Sequence, residues 1–197
     1  MPRQNRVDPF GILFRSPARG TIMGNRGGAL HNDRGEIVRP FKGQRWIACL
    51  LEFKNIRRQV MKPGFYTELF FLDEAASFAA GHRPCAECRR ERFNAFRAAW
   101  GGMPSAPAMD AELHRARVDA SGRKVTFQAP LDSLPDGAFV RIDDSPWLVW
   151  GDGLYLWTPA AYERRIPRTN STVTVLTPAP SVECFRRGYR PAVTSLP

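Results

Sequence analysis

The segment FFLDEAASFAAGHRPCAECRR, residues 70–90, constrains this chain more than any other stretch. Two phenylalanines close an apolar run, and Asp73 then stands where a helix N-cap belongs, ahead of an Ala-rich run that Gly81 stops. Pro84 forbids continuing that helix, so Cys85-x-x-Cys88 falls on a turn. A two-residue spacing on a turn lets both sulfurs face one cation, the arrangement a structural zinc uses. Arg83, Arg89 and Arg90 favour the thiolate form that a metal needs. Two other readings remain, an inert pair of thiols in a tight turn and a redox pair. A thioredoxin-like motif follows a strand and opens a helix, whereas a helix and a proline precede this one. Metal, and specifically zinc, is the preferred reading.

Around this segment the pattern divides the chain in two. Residues 1–35 are rich in Gly and Arg and read as a loop-rich arm with at most a short strand near 20–23. Candidate strands follow at 45–53, 57–61 and 67–72, the last after the turn signal Lys62-Pro63-Gly64, and an antiparallel meander fits their spacing. Phe93, Phe96 and Trp100 recur at helical spacing among arginines and predict an amphipathic helix of about three turns. GGMPSAP breaks that helix, and 109–118 can form one more. From Arg123 onward short β-rich runs alternate with Pro-Asp-Gly, Asp-Asp-Ser-Pro and Gly-Asp-Gly, all turn chemistry, and a short helix at 181–187 closes the chain. The expected class is α+β: a zinc-nucleated antiparallel β-meander with short helices over 1–105, then a small β-rich half over 106–197, the two packed as one unit.

Length and composition set the outer bounds. A chain of 197 residues with 43% hydrophobic and 24% charged residues buries a core without staples and is not disordered. No apolar run approaches a membrane span, and the basic start of the chain lacks the apolar stretch of a secretory signal. A cytoplasmic location is therefore expected, where Cys49, Cys85, Cys88 and Cys184 serve metal or redox chemistry sooner than disulfides. The net charge of +10 is segregated: residues 1–60 hold 12 Lys/Arg against 4 Asp/Glu, while the remainder is nearly balanced. Such a patch suits a polyanion, and nucleic acid is the expected partner, although a solvated basic face explains it as well.

The order strand, Ala-rich helix, Gly, Arg-Pro, CxxC, Arg resembles the metal-binding domain of the Ada DNA-repair methyltransferases over residues 70–90. The residues that carry the resemblance are Phe70, Phe71, the helix 73–80, Gly81, Arg83, Pro84, Cys85, Cys88 and Arg89. It implies a zinc fold, contact with DNA, and an upstream cysteine that ligates the metal and accepts a methyl group from a phosphotriester. In that family the upstream contribution is a C-x-x-x-C pair. Here Cys49 stands alone, with Arg45 and Phe53 at the flanking positions, and His82 occupies an aromatic position. Cys49 is thus either the third ligand, and the candidate catalytic residue, or a small buried hydrophobe. For the fourth ligand His31 is preferred over His82, Cys184 and water. His114 reads as a surface residue.

The remaining signals concern recognition. Arginines and lysines from 15 to 58 interleave with Phe41 and Trp46, a mixture that suits phosphate contact and base stacking. The expected nucleic-acid contacts are Arg26, Arg45, Arg57, Arg58, Arg83, Arg89, Arg90 and Trp46. Trp147, Trp150, Tyr155 and Trp157 alternate across strand faces and read as packed core, and Asp143, Asp144 and Asp152 read as turn residues. No nucleophile elbow, P-loop, dinucleotide fingerprint or paired-His helix is present. The function expected is that of a zinc-containing nucleic-acid-binding protein, DNA-directed in repair or regulation. The alternatives are a zinc-dependent enzyme on nucleic acid, by alkyl transfer to Cys49 or by hydrolysis, and an interaction module with structural zinc.

Overall fold

The computed structural model describes residues 1–55 and 59–197 and is α+β, with two six-stranded sheets and four helices among those residues. The first sheet contains β1 (Arg6–Val7), β2 (Leu13–Phe14), β3 (Ile22–Arg26), β4 (Trp46–Cys49), β5 (Leu69–Phe71) and β6 (Arg83–Pro84), in the order β2-β1-β5-β3-β4-β6. Its β1–β5 and β4–β6 pairs are parallel and the others antiparallel. The expected meander differs in one respect. β4 and β5 do not pair with each other, because β3 lies between them, with Met23 opposite Cys49 on one side and Phe70 on the other. The glycines that mark residues 1–35 as loop are what admit β3 to the centre. A Cβ on Gly24 would sit 2.3 Å from the Ile47 carbonyl oxygen, and one on Gly20 would sit 2.1 Å from that of Phe71. The strand expected over 57–61 begins on Arg57 and Arg58, which lie outside the described residues.

The second sheet, β7 (Phe127–Pro130), β8 (Phe139–Ile142), β9 (Ser145–Trp150), β10 (Gly153–Trp157), β11 (Tyr162–Pro167) and β12 (Thr172–Val175), is antiparallel throughout, in the order β11-β10-β9-β8-β12-β7. Asp143 and Asp144 both take positive φ at the two-residue β8–β9 turn, where short polar side chains tolerate that conformation. Alternation splits the aromatic cluster between two cores. Trp147 packs with Val149 and Leu154, whereas Tyr155 and Trp157 pack with α1 (Glu74–Ala79).

Every residue of α1 is buried, because the helix runs between the sheets, its alanines against Phe139, Leu148 and Leu176. Small side chains permit that close approach, and Asp73 caps the helix by accepting from the Ala76 amide at 2.9 Å. α2 (Arg90–Trp100) buries Phe93 and Phe96 against α4 (Ala179–Arg186). α3 (Ala106–Arg117) begins earlier than expected. Ser105 caps it and Pro107 sits in its first turn, so residues that read as a breaker are in fact a start signal.

Candidate metal centre

Parallel pairing of β6 with β4 builds the site. The register sets Ile47 against Arg83 and Ala48 against Pro84, so Cys85 emerges beside Cys49, with its amide donating to the Ala48 carbonyl at 2.9 Å. The chain then turns: Arg89 N–H donates to the Cys85 carbonyl at 3.2 Å, and Glu87 N–H to Cys85 Sγ at 3.5 Å. That turn returns Cys88 to the same point. The Sγ atoms of Cys49, Cys85 and Cys88 all lie within 4.8 Å of one another. Thiolates on a single Zn²⁺ at roughly 2.3 Å stand roughly 3.8 Å apart in tetrahedral geometry, so the donor set fits a metal ion. Met23, Ile47 and Phe70 pack around the sulfurs, which leaves Cys88 the most exposed of the three.

The three thiols are not equivalent. Hydrogen bonds to Cys85 and Cys88 hold the Cys49 proton and push that thiol far up, with burial adding to the effect. The Cys49 hydrogen bond, helped by the Cys88 and Glu87 amides, brings Cys85 down to about 5 against the opposing effect of burial. Cys88 is lowered too, first by Cys49 and then by the Leu50 amide. Cys85 is thus the thiol readiest to ionise near neutral pH, and the proton held on Cys49 is one that a bound metal would displace.

None of the protein's expected fourth ligands joins this group. His31 is a correction. It is buried elsewhere, its Nδ1 2.6 Å from Thr67 Oγ1 and its Nε2 3.3 Å from the Lys62 carbonyl, and residue 31 is bridged to Ile37. A glycine-flanked histidine that looks free to fold over the sheet is instead fixed by its own loop. His82 packs between Phe71 and Trp46, with Arg26 Nε donating to its Nε2 at 3.4 Å. Burial, then the charges of Arg26 and Arg117, hold its pKa well below the usual value. Cys184 lies in the core of Phe78, Phe96 and Phe185, and burial raises its thiol to about 12. Among the described residues the three cysteines are the only such group.

The expected nucleic-acid contacts separate sharply. Arg45 and Arg90 are exposed, and Arg57 and Arg58 lie outside the described residues. Arg26, Arg83, Arg89 and Trp46 are buried, which corrects their assignment to a nucleic-acid surface. Arg83 forms a two-pronged pair with Asp110 at 2.9 and 2.7 Å, and Arg89 pairs with Glu74 at 2.8 Å. Trp46 lies between the guanidinium groups of Arg26 and Arg117, 4.2 and 4.0 Å from its ring. A different set of arginines faces solvent. A cleft of about 510 Å³ is walled by Arg3, Arg6 and Arg19 with Leu51 and Phe70. None of these arginines forms an ion pair among the described residues. Arg19 and burial lower the Arg6 pKa, burial first, and the Arg6 guanidinium lies 4.9 Å above the Phe70 ring.

No family model, curated protein or solved structure matches this chain. The likeness of residues 70–90 to the Ada family therefore rests on those residues alone. No helix among the described residues is long and apolar enough to cross a membrane.

Proposed function

We propose that this is a zinc protein that binds nucleic acid, DNA foremost, with Cys49, Cys85 and Cys88 holding the metal. One observation carries the reading: Phe70 packs on the cysteine group and also walls the cleft of Arg3, Arg6 and Arg19. A cleft whose arginines form no ion pair among the described residues thus adjoins the cysteine group. Arginine forks grip phosphate oxygens, so the cleft suits a phosphodiester backbone, and Arg45 and Arg90 are exposed as well. Zinc there would fix the β4 end to the CxxC turn, which has too little structure of its own to persist.

Fluorescence anisotropy with a labelled DNA duplex over a salt series tests this reading. Binding should fall steeply with salt, because each neutralised phosphate releases counterions. Arg19→Gln should reduce the slope of log affinity against log salt by about 1. Absent binding, or affinity indifferent to salt, contradicts the proposal.

The count of three protein ligands favours a second reading, a reactive centre. Zinc with a non-protein fourth position supplies a Lewis acid, or an activated thiolate at Cys49. Adduct mass spectrometry after incubation with methyl-phosphotriester DNA tests the thiolate form: a methyl group on Cys49 selects alkyl transfer, and an unmodified protein rules that form out.

A further inference from the structure

A second site lies away from the cysteines, where β3, β4 and the end of α3 converge. Arg26, Arg117 and Lys124 line a small cavity of about 60 Å³ together with Trp46. Water occupies about 30 Å³ per molecule in the liquid, so the cavity holds a water or two, or one small anionic group. The charge there is unbalanced. Asp8 is the carboxylate that acts on Lys124 and Arg26, but it forms no ion pair with either. Asp110, the acid nearest in charge to Arg117, is already taken by Arg83. His82, buried against the same cations, is held neutral.

The donors are also incompletely used. Arg26 gives Nη1 to the Gly11 and Pro40 carbonyls, at 2.9 and 3.4 Å, while its buried Nη2 has no partner. Arg117 gives Nη1 to Gly81 at 2.7 Å and Nη2 to Gln44 at 2.5 Å, and its buried Nε has none. Lys124 donates to the Ala79 carbonyl at 2.6 Å, which uses one of its three N–H groups. Burying cations with unspent donors is costly, and the usual remedy is an anion.

The cavity shares a wall with a larger space. Phe10, Gly11, Pro40, Gly122 and Lys124 line both it and an open cleft of about 780 Å³. That volume lies within the range of small-molecule sites. Ile12, Leu13, Ile37, Val38 and Leu176 give the cleft apolar walls, and Arg141 adds a further cation.

We propose that Arg26, Arg117 and Lys124 form the anion-binding end of a small-molecule site, whose ligand places a phosphate or carboxylate in the inner cavity and an apolar body in the cleft. The two head groups share one chemistry here, oxygen acceptors with negative charge facing three buried donors. In support, burial and then the neighbouring Arg26 bring Lys124 down to about 7, and burial first brings Arg26 and Arg117 each down to about 9. A bound anion removes that strain on all three groups at once. The site is independent of the metal, since none of its residues packs on the cysteine group.

Isothermal titration of the purified full-length protein at constant ionic strength tests this, with phenyl phosphate, benzoate, inorganic phosphate and benzyl alcohol as probes. Phenyl phosphate or benzoate should bind one-to-one and at least tenfold tighter than inorganic phosphate, and benzyl alcohol should not bind. Comparing phenyl phosphate with benzoate identifies the preferred head group. Lys124→Met should weaken the tighter probe at least tenfold while the far-UV spectrum and melting temperature show a folded protein. Tryptophan fluorescence gives a second readout, because Trp46 lies against two of the three cations. No saturable binding of any anion to the folded wild type overturns the proposal, and so does undiminished binding by folded Lys124→Met.

Discussion

Asp110→Asn separates a structural arginine from a nucleic-acid contact. Arg83 reads from sequence as a phosphate ligand, yet its side chain is 3% exposed and that of Asp110 is 7%. Both prongs of the pair are made, at 2.9 and 2.7 Å, across 27 positions of sequence. The isosteric amide preserves volume but removes the charge and turns an NH₂ group toward a guanidinium donor. Removing one partner of a buried pair strands the other charge, at a cost of about 3–5 kcal/mol. Against a typical domain stability of about 5–15 kcal/mol that is a large fraction. At about 2–4 °C per kcal/mol for a chain of this size, melting should fall by roughly 6–20 °C. The loss should reach the cysteines as well, because Arg83 Nη1 also donates to the Pro84 carbonyl next to Cys85, at 2.9 Å. Differential scanning calorimetry of the variant measures the drop, with zinc content read in parallel. Arg83→Met with Asp110→Leu should recover most of the stability, since an apolar pair of similar volume needs no counter-charge. A melting temperature within about 2 °C of wild type for Asp110→Asn refutes the structural assignment of Arg83.

Three further substitutions probe the frame around the site. Glu74→Gln should cost about 3–5 kcal/mol near neutral pH, because Arg89 and Arg92 both pair with that buried carboxylate. Burial raises the Glu74 pKa, but the Arg92 hydrogen bond and the Arg89 charge outweigh it and set the net shift downward. The carboxylate's contribution is therefore complete above about pH 4.5, its ordinary value, and fades as acid protonates it; urea midpoints of the two proteins should converge below that pH. Gly81→Ala should destabilise by more than 1 kcal/mol, since φ is +89° and the new Cβ would lie 2.7 Å from Arg117 Cδ; an unchanged urea midpoint contradicts this. Cys184→Ala should leave zinc content unchanged and cost about 1 kcal/mol from the phenylalanine core, and lost metal in that variant would place Cys184 at the centre instead.

What the sequence made legible follows from how far each signal reaches. Asp73, Gly81 and Pro84 act within a few residues, so the short helix and the turn that carries Cys85 and Cys88 could be read directly. Alternation along 145–157 likewise showed that its aromatics belong to two faces. The long-range features could not be read this way. Arg83 and Arg89 look like any solvated arginine until Asp110 and Glu74, from other elements, are placed beside them. His31 sits among glycines that suggest freedom, but Thr67 fixes its ring. β3 was concealed by Gly20 and Gly24, whose missing side chains let the strand take a crowded central place. The cation cluster of Arg26, Arg117 and Lys124 draws on three separate segments, and the one local hint of it was Gly81, which leaves room for the Arg117 side chain.

Metal analysis with Cys49→Ser as the comparison tests the central claim most directly. The purified wild-type protein should carry one equivalent of zinc, and replacing it with cobalt should give the intense thiolate-to-metal and visible bands of tetrahedral sulfur coordination. Cys49→Ser should lose most of that affinity and show weaker charge-transfer bands, one sulfur fewer. A wild-type protein that takes up neither zinc nor cobalt, or a Cys49→Ser protein with an unchanged cobalt spectrum, contradicts the three-cysteine centre.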